Sequence, residues 1–322
     1  MKHLTIKEAT ALLMDGEVVA IPTETVYGLA ADARNDVAVS KIFKAKGRPS
    51  DNPLIVHIGD IAQVDHLVTD ISQAARLLMA HFWPGPLTVI LPCSGVVSKL
   101  VTAGLTTVGL RMPSHELVLE LLRTSGVPLA APSANRSGKP SPTQALHVAH
   151  DMEGRIAGVV DGGICDVGIE STVIDMASDT PVILRPGGVS KAEIEAIIGP
   201  VDISGALAEK PKSPGMKYAH YSPDAKVYLI DGAYSYFEHT VQRFKADGFK
   251  VGVLCLDRTK GLYMAADVVK GIGTNGKHLY AALRDFDAQG VDIVLSELFD
   301  DEAVMNRLMK ASEERVLSEV EH

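Results

Sequence analysis

Residues 18–59 read VVAIPTETVYGLAADARNDVAVSKIFKAKGRPSDNPLIVHIG, and this stretch decides the fold class. Val18-Val19-Ala20-Ile21 and Leu54-Ile55-Val56 are short apolar runs of the kind that form buried strands. Asn35 or Asp36 can cap a helix carrying Val37, Val39, Ile42 and Phe43. That helix ends at Gly47, with Lys44 and Lys46 near its negative end. The order is therefore strand, helix, strand, the signature of an α/β protein. Pro22-Thr23-Glu24-Thr25 and the segment from Lys46 to Pro53 are too polar and too broken by Pro and Gly to be core. Each adjoins a strand, where open α/β sheets carry their ligand-binding loops. Hydroxyls, a carboxylate, two cations and an amide thus gather at strand ends.

Outward from this stretch the alternation continues. Thr5 and Glu8 form a capping box for a helix to Met14 that stops at Gly16. A helical region spans Ile61 to Phe82 and breaks at Trp83-Pro84-Gly85-Pro86. Strands are predicted at Leu87–Leu91, 106–112, Val127–Ala131, Ile156–Val160, Ser171–Asp175 and Val182–Leu184. Ser114 is placed as the cap of a helix to Leu122. Ser190 and Glu193 form a second capping box, for a helix to Ile198. Segment 201–225 holds several Pro and little periodicity, so it reads as an interdomain linker. Beyond it, strands at Val227–Ile230, Val251–Leu256 and Val291–Leu295 alternate with helices at Tyr236–Ala246, His278–Ala288 and Glu302–Lys310. That pattern describes a smaller parallel α/β domain.

The 322 residues suffice for two domains, and 46% hydrophobic with 22% charged residues is an ordinary globular composition. A net charge of −9 argues against a nucleic-acid binder held by bulk charge, though a local basic pocket stays open. Cys93, Cys165 and Cys255 have neither pairing nor metal-ligand spacing, so three small core residues in a reducing compartment are expected. The N-terminus lacks a signal-peptide pattern, and no apolar run reaches the roughly 18 residues of a membrane span. A cytoplasmic protein without membrane contact is expected.

Several familiar sites are excluded. There is no Walker A loop, no GxSxG elbow and no HExxH. Gly271-Ile272-Gly273 does not open a clear helix, which weakens a dinucleotide reading. His57-Ile58-Gly59-Asp60 resembles a synthetase signature, but His57 closes a strand instead of opening a helix. What remains is a dispersed polar set. Lys46 and Arg48, flanked by Gly and Pro, suit a polyphosphate through a point charge and a planar fork. Ser133 and Asn135 follow a strand, and turn chemistry explains them as well as function does. Taken alone, His57 is a core-edge histidine, and Arg111 and Arg185 are strand-end ion-pair formers.

Together, IPTETVYGLAAD, KAKGRPSDNPLIVHI, FWPGPLT, GLRMP, APSANRSGKPSPT, IESTVID and ILRPGG resemble the Sua5/YrdC family. The SPGMKYAHYSP linker and the domain after it resemble the two-domain Sua5 branch. The resemblance implies a YrdC-like twisted mixed sheet over residues 1–200, a linker or lid over 201–225, and a Rossmann-like Sua5 domain over 226–322. It implies L-threonylcarbamoyladenylate synthase activity, a nucleotidyltransferase using L-threonine, bicarbonate or CO2, and ATP with Mg2+. No protein metal site is implied. Partner proteins would then transfer the threonylcarbamoyl group to tRNA, and direct tRNA contact is left open.

By position, the resemblance makes Lys46, Arg48, Ser133 and Asn135 the KxR and SxN residues of catalysis. It places threonine against Thr25, His57, Arg111, Ala131 and Ser171. It places ATP against Arg48, Asn52, Thr107, Ser133, Ser141, Arg185 and Tyr221, with Tyr221 closing over the nucleotide. Two alternatives stand beside this reading. One is a carbamoyl-phosphate-dependent relative, whose zinc-finger-like cysteines and acylphosphatase module are lacking here. The other is a non-enzymatic RNA-binding module.

Overall fold

The computed structural model describes residues 1–204 and 221–319. The chain divides into two compact units, one comprising residues 1–137 and 141–217 and the other 138–140 and 218–322.

The first unit is built on a ten-stranded mixed sheet. Its strands are β1 (Val19–Ile21), β2 (Gly28–Asp32), β3 (Ile55–His57), β4 (Leu87–Pro92), β5 (Thr107–Arg111), β6 (Leu129–Ala130), β7 (Gly158–Val159), β8 (Thr172–Asp175), β9 (Val182–Arg185) and β10 (Asp202–Ile203). They lie in the order β10-β9-β8-β4-β5-β3-β6-β2-β1-β7. β3 runs parallel to β5, with His57 opposite Arg111, and antiparallel to β6. β1 and β2 form an antiparallel hairpin closing at Ile21 and Gly28. The mixed strand directions agree with the resemblance. They could not be read from hydrophobic pattern, because parallel and antiparallel buried strands share one.

Helix starts follow their caps. Thr5 and Glu8 make a reciprocal capping box for Ile6–Met14, and Ser190 and Glu193 make one for Lys191–Ile198. Asn35 caps Asp36–Lys46, which ends at Gly47 with φ +63, a left-handed turn that glycine adopts without strain. Two expectations change. The region from Ile61 to Phe82 is a 3-10 turn, a short helix at Val64–Leu67 and a separate helix at Gln73–Phe82. The helix after β5 is Glu116–Ser125, with His115 and not Ser114 at its cap. β10 also pairs with β9, so the sheet extends into the stretch read as linker. Buried residues such as Ile42, Leu54, Val56, Leu78 and Leu110 form the main core on one side of the sheet.

The second unit carries a five-stranded all-parallel sheet, β13-β12-β14-β11-β15. Its strands are β11 (Lys226–Asp231), β12 (Val251–Leu256), β13 (Val268–Ile272), β14 (Ile293–Ser296) and β15 (Val316–Ser318). Its core centres on Phe237, Val241, Val253 and Leu295. No described helix in either unit is long and apolar enough to cross a membrane.

Candidate active site

The loop between β1 and β2 is tied by its own hydroxyls. Thr23 Oγ1 donates to the Val26 carbonyl at 2.6 Å and accepts from the Thr25 and Val26 amides at 3.2 Å. This local turn chemistry fixes Thr25, whose hydroxyl lies 2.8 Å from that of Thr23. Arg111 closes β5 and reaches this loop. Its Nη1 donates to Thr25 Oγ1 at 3.0 Å, and its Nε donates to the Gly85 carbonyl at 3.2 Å. Its Nη2 lies 2.7 Å from Glu24 Oε1. Sequence reasoning left Glu24 without a role. Its signal was the one carboxylate in a buried-looking loop, and the partner that gives it meaning is far off in sequence.

His57, opposite Arg111 in the register, is 3% exposed. Burial, reinforced by the nearby Arg111 charge, pushes its pKa down to about 3, so the ring is neutral at physiological pH. A neutral imidazole here is a hydrogen-bonding group and not a cation.

Lys46 sits on the last turn before Gly47 and is buried. Its ammonium donates to the Ser133 carbonyl and, at 2.7 Å, to the Asn135 carbonyl. The Ser137 amide donates back to the Lys46 carbonyl at 2.9 Å. The KxR and SxN segments, 87 residues apart, are thereby stitched into one loop pair. Arg48 Nη2 approaches the Asn52 and Pro53 carbonyls at 3.3 and 3.4 Å. Asn52 is 1% exposed.

A third cluster lies around β8. Arg185 is buried and donates from Nη2 to the Ser171 carbonyl at 2.9 Å and to its hydroxyl at 3.2 Å. Ser171 Oγ is 2.8 Å from Thr88 Oγ1, and Ser141 donates to Glu170 at 2.6 Å. Thr88 and Glu170 were also missed, since each acts through partners distant in sequence. Gly187 explains the RPGG motif: a Cβ there would lie 2.3 Å from the Glu170 carbonyl, so only glycine lets the segments approach.

The remaining expected residues are more dispersed. The Ala131 amide donates to the Ile55 carbonyl within the sheet. Thr107 opens β5, about 13 Å along the strand from Arg111 at the usual rise per residue. Tyr221 is buried in the second unit, stacked on Tyr280 at 5.3 Å with Arg307 over its ring at 6.0 Å. Lys210, Lys212, Lys217 and His220 of the 201–225 linker lie outside the described residues.

Four groups of this site share one property, which buried atoms elsewhere, such as Thr10 Oγ1 and Ser222 Oγ, also show. Among the described residues, both Glu24 oxygens, both side-chain polar atoms of Asn52, His57 Nδ1 and Arg111 Nη2 are buried without a hydrogen-bond partner. Buried polar groups are nearly always satisfied, so each exception calls for an explanation, and a ligand that completes them is one. Among the described residues there is no group of three or more His, Cys, Asp or Glu placed to hold a metal. In the second unit, Asp257 Oδ1 occupies the space over Gly271, 2.5 Å from where a Cβ would be, and Glu297 caps the Leu256 amide at the end of β12.

The Sua5/YciO/YrdC family model, described as telomere recombination, matches residues 11–187. A second, described as the threonylcarbamoyl-AMP synthase C-terminal domain, matches residues 189–313. The chain belongs to the Sua5/YrdC family. It is 54% identical to threonylcarbamoyl-AMP synthase of Bacillus subtilis, over 97% of this chain and 94% of that protein. It is 47% identical to the Pyrococcus abyssi enzyme of the same name, over 97% and 95%. The crystal structure of Pyrococcus abyssi Sua5 complexed with L-threonine superposes with a TM-score of 0.93 at 46% identity, covering 97% of this chain and 95% of that one.

Proposed function

We propose that this chain is an L-threonylcarbamoyladenylate synthase, converting L-threonine, bicarbonate and ATP into threonylcarbamoyl-AMP, pyrophosphate and water. The observation that carries the reading is the set of buried, unsatisfied polar atoms on Glu24, Asn52, His57 and Arg111 in a chain of this family. The complex of the Pyrococcus abyssi relative with L-threonine supports the amino-acid half.

In this reading Thr25, His57, Arg111, the Ala131 backbone and Ser171 receive threonine. Neutral His57 hydrogen-bonds the substrate without adding charge. Arg48, Asn52, Thr107, Ser133, Ser141 and Arg185 receive ATP. Bicarbonate takes up a proton and loses water to give CO2, and threonine's amine, once its ammonium proton has left, adds to CO2 and sheds a second proton to give a carbamate, which is short-lived in bulk water. Holding it against the α-phosphate turns a second-order encounter into an intramolecular one. A carbamate oxygen then attacks phosphorus in line, the new P–O bond forms, and the bond to the pyrophosphate oxygen breaks. Fixed cations offset the charge that develops on the phosphates. Arg48 does this directly, and Lys46 adds charge while holding the Ser133–Asn135 loop in place. Mg2+ enters with ATP as part of the substrate.

The product would pass to transfer proteins acting on tRNA, since a mixed carbamic–phosphoric anhydride hydrolyses readily. The test is pyrophosphate release that requires both threonine and bicarbonate. Release without threonine would redirect the assignment to a different acceptor.

A further inference from the structure

We propose that Glu24 is the residue that receives the substrate's α-ammonium, with Arg111 facing its carboxylate. This rests on the threonine reading above and names the other half of that subsite. The Glu24 side chain is 7% exposed and approaches Arg111 at 2.7 Å. The two are paired by charge at that distance but are not aligned as a hydrogen bond, so both carboxylate oxygens lack an aligned donor and Arg111 Nη2 lacks an aligned acceptor. A structural Arg–carboxylate pair would normally close as a two-bond fork. Here Arg111 is already anchored through Gly85 and Thr25, so its orientation does not depend on such a fork. Leaving a buried carboxylate short of donors is costly. The cost is removed when a group with several N–H donors arrives, and an ammonium has three.

Charge leads to the same occupant. The groups around Glu24 are Arg111, Thr25 and Cys165, with His57 paired to Arg111 in the sheet and Asp166 beside Cys165 but exposed to solvent. His57 is neutral, and burial with the nearby Glu24 charge pushes the Cys165 thiol up to about 12, so it stays protonated. Within the buried pair Glu24 and Arg111 offset one another, matching the two opposite charges of an amino-acid zwitterion. Without Glu24 the pocket would carry a buried positive charge and prefer an acid lacking the amine.

The test compares calorimetric binding of L-threonine with that of the 2,3-dihydroxybutyrate of matching configuration, in which hydroxyl replaces ammonium. The full chain is used, as wild type and as Glu24→Gln. Wild type should prefer threonine by roughly tenfold or more, the worth of one charge-assisted contact. Glu24→Gln should lose roughly ten- to a hundredfold on threonine and keep its affinity for the deaminated acid. Glu24→Asp, which keeps the charge, should retain the preference. Equal loss on both ligands would mean that Glu24 acts only through Arg111, and would overturn the proposal. So would a wild-type protein that binds both ligands equally, a comparison that does not depend on the variant folding. A wild-type protein that binds neither ligand would overturn the threonine reading itself.

Discussion

Replacing His57 with Gln should flatten the acid limb of the stability profile. The imidazole has an ordinary pKa of 6.5 and a folded one of about 3. Between those values the unfolded chain holds a proton on this ring and the folded chain does not. Stability therefore rises with pH through this window and falls as pH drops below about 6.5. The slope is about 1.4 kcal/mol per pH unit for one proton. Integrated from pH 7 to pH 5, this group alone removes about 2 kcal/mol. Gln keeps a hydrogen-bonding side chain of related reach and cannot charge. The assay is denaturant unfolding of wild type and His57→Gln at both pH values. The wild type should lose about 2 kcal/mol more than the variant between pH 7 and pH 5. Identical pH dependence in the two proteins would refute the buried, neutral assignment. A variant steeper than wild type would reverse its sign.

Lys46→Met preserves the buried stem but removes the donor to two carbonyls; it should cost about 2–4 kcal/mol and lower ATP turnover at least tenfold, and wild-type melting with wild-type turnover would remove Lys46 from both roles. Gly187→Ala must displace the Glu170 carbonyl and should destabilise by about 2 kcal/mol or more, read as a lowered melting temperature that an unshifted transition would contradict. Arg48→Ala should raise the KM for ATP and leave threonine binding by calorimetry near wild type, so a weakened threonine affinity would place Arg48 on the wrong substrate.

Much of the fold was legible because local signals were strong. The two capping boxes, the stop at Gly47, and the strands at β4, β5, β8, β9 and β12 follow from hydroxyl, glycine and apolar patterns that act within a few residues. β2 was not legible: Gly28-Leu29-Ala30-Ala31-Asp32 has no β-branched or aromatic residue and is a strand because its neighbours pair with it. The helix from Ile61 to Phe82 looked continuous because its apolar periodicity survives the break, while Asp60 and Ser72 cap separate pieces. The same division holds at the site. Lys46, Arg48 and Arg111 carry charge that marks them in a sequence, and family resemblance supplied the places of Thr25, Ser133 and Ser171. Glu24, Thr88 and Glu170 matter through contacts spanning tens of residues, which no local pattern encodes.

The central claim is tested most directly by incubating the purified chain with ATP, Mg2+, L-threonine and bicarbonate, then following pyrophosphate and product mass together. Pyrophosphate release that needs both threonine and bicarbonate, with threonylcarbamoyl-AMP formed in equal amount, is the predicted result. Pyrophosphate release that is indifferent to threonine, or threonine binding with no adenylate product, would contradict it.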